Sequence, residues 1–372
     1  MSQLKPKLLK LHRWFGLALG VLLLVQGLTG ASLVFRDEIE RLIHPAMVVA
    51  PLPQRVPVQA MLDAVESANP NFSVSRAEFP EWNDGAVLFK MIAADGTRRL
   101  AAVDPYRGTI VREGTMFAWP GEWLFHVHDS LLAGPVGETL VGVEGLGLLF
   151  MAITGPIIWW PGRKRIKQGL KVTLDKGADR RWRTLHRAGG AMAAMLLVVS
   201  ALTGVLMVWK AEFRQVLRIA GPVTDKPTPK VQVIPGATMV PLDALIAQAQ
   251  AELGAAPLRQ LRFSSGGRVA AVYLDSDFTV RADGFKQAYY NRYNGAGLGH
   301  YVAGRLPVGT EIVDWLITIH TGAFGGLPSR LLFLLGGLSL AALSASGLWL
   351  WYSRTSRRRK PRAMARPTVE GA

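Results

Sequence analysis

Four stretches of this chain are long and apolar enough to cross a membrane, and they constrain everything else. Trp14–Phe35, Thr139–Trp160, Ala188–Trp209 and Leu331–Tyr352 are each 22 residues long. As helices they measure about 33 Å, enough for a hydrocarbon core of about 30 Å. Three carry no charged residue, and the second carries only Glu144. The expectation is an all-α membrane bundle of four transmembrane helices. Lys5, Lys7 and Lys10 precede the first window as in a secretory signal. Its apolar run, however, exceeds the usual signal core of about 7–15 residues, so a retained helix is expected.

The net charge of +16 invites a nucleic-acid reading, but its distribution argues against one. Residues 1–13 hold four Lys/Arg, 161–187 hold ten and 353–372 hold seven, against only Asp175, Asp179 and Glu370. The remainder is close to neutral. Basic charge beside apolar spans marks the cytoplasmic side, whereas nucleic-acid binding requires a basic face on a folded domain. The expected order is therefore a cytoplasmic N-terminus (1–13), span 14–35, outer domain 36–138, span 139–160, cytoplasmic loop 161–187, span 188–209, outer domain 210–330, span 331–352 and cytoplasmic tail 353–372. The chain has no cysteine, which excludes disulfides, thiolate metal clusters and thiol catalysis.

The spans repeat. A shift of 174 residues superposes His12-Arg13 on His186-Arg187, Gly16 on Gly190, and Leu28-Thr29-Gly30 on Leu202-Thr203-Gly204. A shift of 192 superposes His128 on His320, Gly145 on Gly337, Thr154-Gly155 on Ser346-Gly347 and Trp159 on Trp351. Both halves begin in the cytoplasm, so they are expected to be parallel repeats about an axis along the membrane normal. The outer segments also resemble each other. Helical spacing over 57–69 is followed by β-like runs at Val87–Ile92 and Leu100–Val103 and the turn "VDPYRG". A helix at Pro241–Leu253 is followed by Leu258–Phe263, Val269–Leu274 and "YNRYNG". Two small α+β domains are expected.

Of the seven histidines, four obey the repeat: His12 with His186, and His128 with His320. A parallel two-fold axis brings each pair face to face. Two neutral imidazoles on opposite sides of a flat macrocycle are the ligand set of a bis-histidine haem. Glycines in all four spans leave room for one, and Arg13 and Arg187 on one side, with Arg305 or Arg330 on the other, are placed for its propionates. The competing readings are helix packing for the glycines and headgroup anchoring for the Arg and His residues. A histidine zinc site is disfavoured because no carboxylate or cysteine joins either pair at ligand spacing. His126 competes with His128, since two residues apart on a helix they point about 200° from each other; the repeat favours His128. His44 and His300 read as surface or loop residues. Glu144 is the one carboxylate within the spans, with intramembrane function and interfacial snorkelling as equal readings.

The phrases "LHRWFGLALGVLLLVQGLTGASLVFRDEIE", "DPYRG", "HDSLL", "TGPIIWWPGR", the second "LHR" and "HTGAFGGLPSRLLFLLGG" resemble the PepSY-associated transmembrane family. The resemblance implies four transmembrane helices and periplasmic PepSY-like domains in a bacterial inner membrane. Some members of the family are di-haem b-type reductases that free iron from siderophores, and His12, His128, His186 and His320 fall on the family's recurrent histidines. It thus implies two haem b groups per chain, a ferric-siderophore reductase-like activity and a ferric chelate as substrate. Nothing resembling a glycine-rich dinucleotide fingerprint follows a strand, so the electron donor is expected to be a quinol, another protein or a small reductant. Two other readings stand beside this one: a haem-free scaffold or regulator that binds a peptide or protein outside the membrane, and a small-solute transporter. The transporter reading has few intramembrane polar residues beyond Gln26, Glu144 and Ser200 to draw on.

Overall fold

The computed structural model describes residues 4–276 and 285–359, the side chains of the last three excepted. Residues 1–3 and 360–372 of the basic termini, and 277–284 of the second outer segment, lie outside the described residues. The first half contains α1 (Leu4–Leu33), α2 (Arg36–Ile43), α3 (Val58–Ala68), β1 (Phe72–Glu78), β2 (Val87–Ala93), β3 (Arg98–Val103), β4 (Ile110–Thr115), α4 (Pro120–Ser130) and α5 (Gly134–Trp159). After a short α6 (Ile166–Leu170), the same order recurs. It comprises α7 (Ala178–Val208), α8 (Lys210–Ala220), α9 (Leu242–Leu253), β5 (Leu258–Ser264), β6 (Val269–Leu274), β7 (Lys286–Asn291), β8 (Gly297–Val302), α10 (Val308–Thr321) and α11 (Gly326–Arg359).

The chain divides into two compact units. The first holds the membrane-length parts of α1, α5, α7 and α11, each apolar enough to span a bilayer. Small residues set the contacts. A Cβ on Gly27 of α1 would lie 2.7 Å from the Gly337 carbonyl oxygen of α11, and one on Gly337 would lie 2.8 Å from the Gly27 carbonyl oxygen. At this crossing the two backbones touch, as glycine permits in membrane helices. Gly16 and Gly147 bring α1 against α5, Gly145 brings α5 against Val205 of α7, and Gly336 brings α11 against Leu196 of α7. Leu23, Met151, Ala152, Leu197 and Leu340 form the shared core. Met192 and Met195, 75% and 77% exposed, point outward, a placement that lipid accepts and water penalises. The helices also outrun the apolar windows. α1 begins at Leu4 and α7 at Ala178, so His12 and His186 stand within continuous helix.

The second unit corrects the expectation of two separate outer domains. Its eight strands form one antiparallel sheet in the order β4-β3-β2-β1-β5-β6-β7-β8. The halves join where β1 pairs with β5, in the register Arg76↔Arg262, Ala77↔Leu261 and Glu78↔Gln260. Left apart, β1 and β5 would each be an open edge, and pairing them removes both. One face of the sheet packs on α3 and α9 around Met61, Leu62, Val65, Leu245, Ala77 and Leu261. The two helix starts cap each other. Asp243 accepts from the backbone N–H groups of Val58 (2.8 Å) and Gln59 (3.0 Å), and Gln59 Oε1 accepts from Leu242 N–H (3.2 Å), which satisfies donors that a helix leaves open. The "VDPYRG" and "YNRYNG" turns are equivalent in detail. Asp104 and Asn291 each accept from the N–H two residues on, at 2.8 and 2.9 Å. Gly108 and Gly295 take φ of 69° and 72°, a conformation that costs glycine little.

Candidate site: two histidine pairs

The sequence predicts two pairs of imidazoles, and the structure gives each a defined setting. In the membrane unit, His12 of α1 faces Thr154-Gly155 of α5, and His186 of α7 faces Ser346-Gly347 of α11. His12 Nδ1 lies 3.4 Å from Thr154 Oγ1, and His186 Nδ1 lies 2.9 Å from Ser346 Oγ. Both hydroxyls already donate within their own helices, Thr154 to the Phe150 carbonyl (2.8 Å) and Ser346 to the Leu343 carbonyl (3.0 Å). Each hydroxyl has a single proton and is left as an acceptor. The proton in each contact therefore belongs on Nδ1, and Nε2 keeps its lone pair. This is how an outer partner fixes the tautomer of a ligating histidine. The glycines make the approach possible. A Cβ on Gly155 would sit 3.7 Å from His12 Cε1, and one on Gly347 would sit 3.4 Å from His186 Cε1.

In the other unit, His128 lies in the last turn of α4 and His320 in the last turn of α10. Both helices stop at a left-handed residue, Leu131 (φ 50°) and Gly322 (φ 72°). The two rings lie side by side with centroids 6.1 Å apart and planes inclined at 53°. His126 does not share this contact. His126 turns to β3, its Nε2 2.6 Å from Arg98 Nη1, and it lies 3.6 Å from Glu122. Burial, then the Arg98 charge, hold its pKa below the ordinary histidine value, against the pull of Glu122 and Asp129.

Charged groups hold α4 and α10 in place. Glu122 of α4 meets Arg36 at 2.6 Å and Lys90 at 3.0 Å. Burial works against its charge, but Lys90 and Arg36 together outweigh it and hold the carboxyl below its usual range. Glu40 of α2 accepts from the Gly121 N–H at the start of α4 (2.5 Å). On α10, the buried Asp314 accepts the Tyr301 hydroxyl at 2.8 Å, and the buried Thr310 hydroxyl accepts from the Thr224 N–H at 2.7 Å.

Of the arginines, Arg13 is exposed, and Arg187, also exposed, donates to the Lys171 carbonyl at 3.1 Å. Arg305 is exposed. Arg330, expected near the outer pair, is committed elsewhere. It donates to the Val34 carbonyl at 2.6 Å and pairs with Glu38 at 2.7 Å, closing the corner where α1 gives way to α2. Glu144 is 2% exposed, and neither carboxylate oxygen has a hydrogen-bond partner. His44 packs on Trp119 with centroids 6.0 Å apart, and His300 pairs with Glu252 at 2.9 Å.

What group suits these pairs can be tested on their geometry. Among the described residues, no three His, Cys, Asp or Glu converge as a metal-holding group, whereas a bare zinc ion takes three or four protein ligands. Two is the number of axial ligands that a haem iron takes. A metal about 2.0–2.1 Å from one nitrogen of each of two opposed imidazoles puts the ring centroids about 6 Å apart, close to the 6.1 Å of His128 and His320. In the inner pair each Nδ1 has a hydroxyl partner and both rings are seated against glycine. The donor set therefore fits an iron macrocycle.

Among models of known families, the chain matches the one described as "PepSY-associated TM region" over residues 9–354. The match takes in both histidine pairs, the whole sheet and nearly all of the four long helices. A search of curated proteins found no match.

Proposed function

The chain belongs to the PepSY-associated TM region family, and from that premise we propose that it is a membrane electron-transfer protein holding two b-type haems and reducing a ferric chelate outside the membrane. The observation that carries this reading is the adjacent pair His128 and His320, on helices from the two halves of the chain, at a spacing that suits a shared metal. In this reading the outer unit is periplasmic and PepSY-like, the halves are parallel repeats, and the membrane is a bacterial inner membrane. A bound haem supplies a one-electron couple. The chain's own residues do the rest. His12 and His186 present neutral Nε2 atoms because Thr154 and Ser346 accept the Nδ1 protons. Both inner histidines are half-buried between the helices. Arg13 and Arg187 stand one residue beyond the inner histidines, both exposed, with guanidinium N–H groups beyond the one Arg187 gives to Lys171 that can meet carboxylates at the membrane boundary. Ferrous iron is held less firmly than ferric by hard oxygen ligands, so reduction loosens the chelate, and a ferric siderophore is the substrate class the family favours. The electron donor is a quinol, a protein or a small reductant.

Haem quantification by pyridine haemochrome on protein purified after haem-replete expression tests this directly. Two haems per chain with a low-spin spectrum are expected. A preparation without a Soret band overturns the reading and leaves the haem-free scaffold in its place.

A further inference from the structure

The seam between the halves brings two like charges together. Arg76 and Arg262 are directly opposed across the β1–β5 pair, an arrangement that disfavours pairing unless something compensates it. Side chains alternate along a strand. Ala77 and Leu261 therefore point into the α3–α9 core, while Arg76, Glu78, Gln260 and Arg262 stand on the other face.

That face is unevenly neutralised. Arg76 folds back on Glu78 at 3.2 Å, but Glu78 also serves Lys90 at 3.3 Å. Lys90 in turn shares Glu122 with Arg36. Asp37 also feels this network, but burial works against its charge. Arg262 has less still. Its Nε and Nη2 both donate to the neutral Gln260 amide oxygen, at 3.0 and 2.8 Å, and its guanidinium lies 4.4 Å from the centroid of the Tyr273 ring. Among the described residues no carboxylate pairs with Arg262. Glutamine at 260, opposite Glu78, is what deprives Arg262 of a counter-charge. Both arginines are half-buried rather than sealed off.

The same face receives the two helices that end in the outer histidine pair. α4 reaches it through Glu122 on Lys90, and α10 through Asp314 on Tyr301, which lies in the Tyr273–Tyr289–Tyr301 cluster. We propose that the β1–β5 seam is a docking platform for an anionic, oxygen-rich metal chelate, with Arg262 and Arg76 as the paired guanidinium groups that receive its carboxylate or catecholate oxygens. Guanidinium forks match such oxygens in two-point contacts, and an anion between them would relieve the opposition of the two charges. This names the substrate class within the reductase reading and rests on it.

The test uses the full-length chain in lipid nanodiscs and redox-inert gallium(III) chelates, so that binding is read apart from electron transfer. Isothermal titration compares anionic gallium(III) citrate with cationic gallium(III) desferrioxamine B. Wild type should bind the citrate complex more tightly. Arg262→Gln and Arg76→Gln should each weaken that binding by about tenfold or more with unchanged haem content, and Arg262→Lys should recover part of it. Equal binding of both chelates by wild type, failure to bind the citrate complex, or citrate binding untouched in both glutamine variants overturns the platform. Arginine-dependent citrate binding by a haem-free preparation would leave the platform standing while the reductase reading falls.

Discussion

Replacing Ser346 with alanine removes one hydroxyl and tests whether the inner histidines are set up as ligands. Ser346 Oγ lies 2.9 Å from His186 Nδ1, whereas Thr154 Oγ1 lies 3.4 Å from His12 Nδ1. The first distance is within the usual N–H···O range of about 2.7–3.2 Å and the second is beyond it. Losing the acceptor of a fully buried donor costs about 1–3 kcal/mol, an upper bound for the half-buried His186, and losing the outer partner of a metal-bound histidine weakens metal affinity about 10–100-fold. Ser346→Ala should therefore speed haem loss by about tenfold. Thr154→Val, which keeps the shape, should speed it less, and Ser346→Thr should restore the wild-type rate. Transfer of haem from nanodisc-held protein to excess apomyoglobin gives the rates. Redox titration gives a second readout, because an imidazole without its acceptor is a poorer base and the midpoint potential of that haem should rise. If Thr154→Val has the larger effect, or if Ser346→Ala changes neither rate nor potential, the hydroxyls do not set the tautomers.

Three further outcomes follow from the same structure. Reporter fusions at Ala178 should read cytoplasmic and those at Gly96 and Gly266 extracytoplasmic, because basic charge gathers at 161–187; a reversed pair refutes the four-span order. Gly337→Ala should lower thermal stability in detergent more than Gly336→Ala. The new Cβ meets backbone in the first case, Gly27 O at 2.8 Å, and the flexible end of Leu196 in the second; the opposite ranking refutes the backbone crossing. Glu122 has a depressed pKa, so the stability it contributes is complete above the ordinary glutamate value of about 4.3 and is lost as pH falls through its lower folded value. Glu122→Gln should therefore flatten the acid limb of unfolding, followed by tryptophan fluorescence. At neutral pH it should cost about 3–5 kcal/mol, less what water screens at Arg36, which is 25% exposed. An unchanged acid limb would refute the role assigned to this ion pair.

Much of the scaffold was legible because its signals are local. Apolar length marked the four long helices. Helical spacing found α3 and α9, and β-like runs found β2, β3, β5 and β6, nearly to the residue. The merging of the strands into one sheet was not legible, since it depends on pairing β1 with β5, which lie far apart in the chain and carry no mutual signal. The extents of the short helices α4 and α10 were hidden by the glycines and prolines around them, so the outer histidines were placed just before a span without the helix ends that carry them. Arg330 looked like a free cation because nothing local announces its contact with the Val34 carbonyl. Ser346 and Thr154 were visible in the repeat, where Thr154-Gly155 superposes on Ser346-Gly347. Their contact with the histidines required knowing which helices are neighbours.

The central claim is that each histidine pair holds one haem, and the most direct measurement is haem content, by pyridine haemochrome and low-spin spectrum, in the four single alanine variants and their doubles. His12→Ala and His186→Ala should each lose the same haem, His128→Ala and His320→Ala should each lose the other, doubles within a pair should lose no more than singles, and a double across pairs should lose both. If His12→Ala and His186→Ala lose different haems, or if either retains two, the repeated "LHR" is a membrane-boundary anchor and the pairing is wrong.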